Sequence, residues 1–177
     1  MDIQIKQEQA EHYKATEEVI REAFLYEEYS DKKEHLLVNR IRTSEAFIPE
    51  LSLVALDQAD NIIGHILLSK IAIEGQDQKS DSLALAPVSV LPEYQKKGIG
   101  SQLINAALLK AKEAGFQSVI VLGHESYYPK FGFKPARLWN IKPPFEVPDE
   151  AFMAIELMEG ALENVEGIVQ YSEAFLE

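Results

Sequence analysis

The residues best placed to do chemistry stand at one junction. Gln95-Lys96-Lys97-Gly98-Ile99-Gly100 follows a β-type run and precedes an amphipathic one. A helix starting there presents N–H groups with no intrahelical partner, and its dipole makes that end positive. Glycines let the main chain approach a ligand, and Lys96 and Lys97 add positive charge. Together these features suit a phosphate group. The spacing departs from the G-x-x-x-x-G-K-[ST] of triphosphate loops and from the G-x-G-x-x-G of dinucleotide-binding turns. A purely structural tight turn is the competing explanation for two glycines at a helix start.

The elements around this junction can be read from periodicity. Residues 2–6 alternate as a first strand. Residues 10–29 and 34–42 carry apolar stripes at helical spacing. Residues 44–50 form a connection. Residues 51–56 and 62–74 are β-rich and flank a polar turn, which predicts a hairpin. Residues 75–82 are a polar loop, and residues 83–91 the next strand. Leu103, Ile104, Ala107, Leu108 and Ala111 make residues 101–114 the clearest helix, with Gly115 where a C-terminal cap belongs. The run Ser118-Val119-Ile120-Val121-Leu122 suits a strand buried on both faces. Residues 126–131 predict a short helix with Ser126 as N-cap. A strand is expected from Phe133 onward, an exposed loop at Pro143, Pro144 and Pro148, and late strands at 152–158 and 165–171. With no repeat and no linker, residues 1–177 read as one mixed α/β domain.

Composition narrows the function. A chain of 177 residues with 46% hydrophobic content can bury a real core. It has no cysteine, which excludes disulfides, thiolate metal sites and a cysteine nucleophile. The N-terminal residues contain no apolar run of the signal-peptide kind, and nothing approaches the roughly 20 apolar residues of a membrane span. A soluble cytoplasmic protein is the expectation. The net charge of −12 repels nucleic acid and anionic membrane, so neither is expected as a partner, and it attracts cationic ligands.

Two segments carry a resemblance. The turn Gln95-x-x-Gly98-x-Gly100, led in by Val90-Leu91-Pro92-Glu93-Tyr94, resembles motif A of the GCN5-related N-acetyltransferase (GNAT) family. About 30 residues on, Tyr127-Tyr128-Pro129-Lys130-Phe131-Gly132-Phe133 resembles the family's (F/Y)-Y-x-x-x-G-F segment. The order of elements is similar over nearly the whole chain, most sharply from Leu83 to Phe133. The runs from Gly64 to Ser69 and from Leu122 to His124 look most like a bacterial branch of predicted acetyltransferases.

The resemblance implies a mixed, mostly antiparallel sheet of about seven strands with about four flanking helices, splayed between the fourth and fifth strands. It implies an acyltransferase that moves acetyl from acetyl-CoA, its co-substrate, to a primary amine of a small molecule or peptide by direct attack in a ternary complex, with no metal. The pyrophosphate would lie on Gln95, Lys96, Lys97, Gly98, Ile99, Gly100 and Ser101. The pantetheine arm would pair with Val88, Ser89 and Val90, as an extended amide-rich chain can add to an open strand edge. By position Tyr128 is the implied general acid, with Tyr127 as rival and both near CoA. The Val90 N–H would face the thioester or oxyanion. Glu125 and His124 are candidate bases, with His65 a third. Trp139, Phe145 and the proline loop read first as packing, and second as walls of an acceptor pocket. Net acidity hints at a cationic amine. Exposed late strands would permit a homodimer. The alternative from another class is a silent acyl-CoA-binding or regulatory module on the same fold.

Overall fold

The computed structural model describes residues 2–28 and 30–176. Alternating or continuous apolar runs build nine strands: β1 (Gln4–Gln7), β2 (Ser52–Leu56), β3 (Ile62–Glu74), β4 (Lys79–Val90), β5 (Ser118–Leu122), β6 (Lys134–Pro135), β7 (Ile141–Lys142), β8 (Phe152–Glu156) and β9 (Gly167–Gln170). Three α-helices flank them: α1 (Tyr13–Phe24), α2 (Glu34–Arg42) and α3 (Ile99–Glu113). Seven strands have four or more residues, as expected; β6 and β7 are two-residue pairings. The expected fourth helix is a single 3₁₀ turn, Tyr128–Phe131, because Pro129 occupies its start and Gly132 ends it in the left-handed region.

The sheet runs β1-β2-β3-β4-β5-β8-β6, and β9 joins β3 and β7. All of these pairings are antiparallel except β4–β5 and β7–β9. The β4–β5 contact is confined to Leu83↔Val119 and Ala84↔Ile120. Beyond Ala84 the two strands part, which is the expected splay. One face of the sheet carries α3, whose Ile99, Leu103, Ile104, Ala107, Leu108 and Ala111 enter the main core with Leu53, Ile66, Leu85 and Val121. On α1 and α2, Ile20, Val38 and Ile41 pack with Leu67. The end of α3 closes as a Schellman motif, Phe116 N–H donating to the Ala111 carbonyl (3.0 Å) and Gly115 N–H to that of Lys112 (3.0 Å).

Three sequence expectations shift. The helix expected over residues 10–29 is a 3₁₀ turn, Ala10–His12, followed by α1, which stops at Phe24. Beyond it the apolar stripe has nothing to bury against, for Tyr26 is 88% exposed; Tyr29 lies outside the described residues. The polar loop at 75–82 is only a tight turn, closed by Gly75 N–H donating to the Gln78 carbonyl (2.8 Å). Lys79 to Ser82 already belong to β4, and their hydrophilicity hid a strand whose Ser82 hydroxyl is buried against that of Ser118 at 2.7 Å. The strand expected from Phe133 shrinks to Lys134–Pro135, because the chain turns into a 3₁₀ segment at Ala136.

A buried polar network ties Glu8, just after β1, to β2, β3 and α2. Ser52 Oγ donates to Glu8 Oε1 (2.7 Å), so His65 Nε2–H donates to Ser52 Oγ (3.0 Å), and the Arg42 guanidinium pairs with Glu8 Oε2 (2.7 Å). Burial alone would raise the Glu8 carboxyl, but hydrogen bonding and charge from His65, with Ser52, hold it down at about 2 against an ordinary 4.5. A depressed carboxyl stabilises the fold above its unfolded value and ceases to do so as pH falls through the folded value. Wild-type stability should therefore drop by up to about 3 kcal/mol as pH falls from 4.5 toward 2. Glu8→Gln should be less stable at neutral pH and lack that acid limb in urea titrations. An unchanged limb would exclude Glu8 as its source.

Candidate active site

The junction is built as a concave array of main-chain donors. Lys96 (φ 64°) and Gly98 (φ 84°) both adopt the left-handed conformation, and Gly98 is the N-cap of α3. Left-handed residues in a turn point successive N–H groups into one hollow, and the helix end adds its positive dipole. A side chain on Gly98 would meet open space, so nothing in the fold covers the turn at that point. A cavity of about 490 Å³ opens over it, lined by Val88, Val90, Tyr94, Gln95, Lys96, Gly98, Ile99, Gly100, Ser101, Tyr127 and Lys130.

The edge of β4 completes this cavity. Leu91 N–H donates to the Ile63 carbonyl (2.9 Å). By the alternation of an antiparallel ladder, the main-chain groups of Val90 then point the other way, toward the side that β5 has left. The Gln95 side-chain amide confirms this direction, donating to the Val90 carbonyl at 3.0 Å. Gln95 thus braces the turn against the strand end, and the Val90 N–H faces the gap. Val88, two residues back, lines the same wall.

The two tyrosines take different places. Tyr127 hangs over the first turn of α3, its hydroxyl 3.3 Å from where a Cβ on Gly100 would stand. Lys130 Nζ lies 4.1 Å from the Tyr127 ring centroid, which keeps a second cation beside Lys96 at the cavity. Tyr128 is buried, edge-on to Phe133 at 5.6 Å, and does not line this cavity. Its ring lies on Gly123, just beyond β5, on the far wall of the splay from Val88 and Val90; a Cβ on Gly123 would come within 2.3 Å of it. Burial, with a smaller contribution from Tyr127, pushes the Tyr128 hydroxyl up to about 12, so it stays protonated across the neutral range.

Nine of the twelve residues expected around the donor line the cavity; Ser89, Lys97 and Tyr128 do not. Ser89 is buried on the opposite face of β4, and Lys97 instead lies over the Tyr94 ring at 5.5 Å. His124 and Glu125 are exposed in the turn after β5 and line neither this cavity nor a second one described below. His65 is fully buried in the Glu8 network. Lys130 and Tyr94 were missed as wall residues. Lys130 had a signal, a cation two positions after the tyrosine pair, but only the 3₁₀ turn swings it back over Tyr127.

Comparison with known proteins places this geometry in a family. The model of the acetyltransferase (GNAT) domain matches residues 49–135. The chain is 37% identical to Escherichia coli YjhQ, an uncharacterized N-acetyltransferase, over 119 residues, which are 67% of this chain and 65% of that one. It is 30% identical to E. coli YhbS, also an uncharacterized N-acetyltransferase, over 154 residues, 87% of this chain and 90% of the relative. The crystal structure of E. coli YhbS in complex with CoA superimposes with a TM-score of 0.88 at 25% identity, over 99% of this chain and 92% of that one. A GNAT acetyltransferase from Brucella melitensis in complex with acetyl-CoA gives 0.80 at 30% identity, over 98% of both chains. Among the described residues no helix is long and apolar enough to cross a membrane. On its sequence and its fold together, the chain belongs to the GNAT N-acetyltransferases.

Proposed function

We propose that this protein transfers the acetyl group of acetyl-CoA to a primary amine by direct attack in a ternary complex. The observation that carries this is the continuity of one cavity from the donor-rich turn at Lys96–Ser101 to the open main-chain edge at Val88–Val90. A pyrophosphate needs the first end and an amide-rich arm leading to a thioester needs the second. Two relatives of solved structure hold CoA and acetyl-CoA, which supports this donor.

In this account the N–H groups of the turn, with Lys96 and Lys130, bind the pyrophosphate. The Val90 N–H points at the thioester oxygen and stabilises the oxyanion that forms when the amine nitrogen attacks the carbonyl carbon. The C–N bond forms, the C–S bond breaks, and the amine proton is lost as the CoA thiolate gains one. Tyr128, across the splay, donates a hydrogen bond to the departing sulfur. A phenol at about 12 lies well above a thiol near 8.5, so donation without full transfer is the lower-energy course, and the sulfur draws its proton finally from solvent. The amine proton passes to water, since His124 and Glu125 stand exposed to solvent in the turn after β5.

Release of free CoA should depend on added amine, with isotope-labelled acetyl recovered on the amine in equal amount. Acetyl-CoA binding with no amine-dependent release from any amine or peptide would sink the transfer reading and favour a silent acyl-CoA module.

A further inference from the structure

A second cavity, also of about 490 Å³, lies on the other side of the splay. Ala84, Leu85 and Ala86 of β4 form one wall, and Ile120 and Leu122 of β5 another. The strand that ends at Val88–Val90 in the donor cavity thus lines this one just upstream. The remaining walls are mostly apolar, with three aromatic rings and one amide, that of Gln170. Phe145 stacks on Tyr171 at 5.9 Å and 21°, and Tyr171 meets Phe175 at 5.1 Å. Leu122 is 46% exposed and Phe145 43%, in a chain that hides most of its large apolar side chains. None of the described residues that line it is charged. The size falls within the usual range for a small-ligand site, and apolar walls open to solvent at the mouth are the usual mark of one.

We propose that this cavity binds the acceptor, and that the acceptor is a monoamine with an apolar body, an arylalkyl or alkyl amine, rather than a polyamine, aminoglycoside or lysine side chain. The inference rests on the acetyl-transfer reading above. Its physical basis is desolvation. The described walls carry no carboxylate, so an entering ammonium exchanges its hydration for only the Gln170 amide, the Tyr171 hydroxyl and aromatic faces, which favours its neutral, nucleophilic form. The apolar body offsets that loss by burying its own surface against the rings. A second ammonium has no such compensation, so a short diamine is penalised. The protein's overall charge of −12 does not reverse this preference, because the acidic groups of the described residues lie outside the lining.

The test is steady-state CoA release by the full chain with acetyl-CoA and four probes: phenethylamine, hexylamine, putrescine and lysine. Phenethylamine and hexylamine should exceed putrescine and lysine in kcat/KM by at least about tenfold. Phe145→Ala should raise the KM for phenethylamine about tenfold while leaving the acetyl-CoA KM unchanged. Leu122→Glu, at an already exposed position, should shift the putrescine-to-phenethylamine ratio by about tenfold or more toward putrescine. Wild-type preference for putrescine or lysine would overturn the assigned class while leaving acetyl transfer standing. Acetyl-CoA binding with no release from any of the four probes would overturn the acceptor assignment, and the transfer reading falls with it only if a wider panel of amines and peptides is also silent. Faster release from hexanoyl-CoA than from acetyl-CoA, lost in Leu122→Glu, would also overturn the assignment, by placing the donor's acyl chain in this cavity.

Discussion

Gly98→Glu should abolish measurable acetyl-CoA binding, lowering affinity by at least about 100-fold in calorimetry, while the variant stays folded. Two effects combine. Gly98 sits at φ 84°, where an L side chain is strained by about 1 kcal/mol or more. The new carboxylate also projects into the open space over the turn, where a pyrophosphate must lie. Gly98→Ala separates the two, for it carries the strain without the charge. It should lose only about tenfold. If Gly98→Glu and Gly98→Ala lose affinity equally, strain in the turn is the cause and the hollow holds no anion. If Gly98→Glu binds normally, the donor lies elsewhere.

Tyr128→Phe should lower kcat by about 100-fold and change acetyl-CoA affinity by no more than about twofold. The ring is held by Phe133 and by the bare backbone of Gly123, so removing the hydroxyl leaves the packing intact. Gly123→Ala tests the same group without altering it. Its Cβ would lie 2.3 Å from Tyr128 Cε2, and a buried ring cannot yield as a flexible chain end does. That variant should match the kcat loss of Tyr128→Phe and also lose about 1–3 kcal/mol of stability through the displaced ring. Wild-type turnover in Tyr128→Phe would remove the hydroxyl from the chemistry. Full turnover in Gly123→Ala with a displaced ring would do the same.

The donor half of the site was legible because it is local. Residues 95–101 are consecutive, and the turn, the start of α3 and the glycine spacing are written in one stretch of chain. Residues 62–74 and 118–122 were placed as strands to the residue, since long β-rich runs between turn signals have few alternatives. Phase was harder. Tyr127 and Tyr128 are neighbours at the start of a one-turn 3₁₀ segment, where no periodicity says which ring faces the cavity and which the core. His65 lies in a strand buried on both faces, so its side was settled only by Glu8, 57 residues earlier, and Ser52. The second cavity was legible only at Pro144 and Phe145, and there only as a second reading. Its walls run from Leu37 through β4, β5 and Phe145 to Leu176, and no local pattern joins residues so far apart. Phe145, which read first as packing, is a wall of that cavity, whereas Trp139 packs against the core beneath it.

The most direct measurement is a crystal structure of the protein soaked with CoA. The account predicts the pyrophosphate within hydrogen-bond distance of N–H groups between Lys96 and Ser101, the pantetheine arm along Val88–Val90, and the sulfur between the Val90 N–H and the Tyr128 hydroxyl. A pyrophosphate away from that turn, or an arm that leaves the β4 edge unpaired, would contradict it.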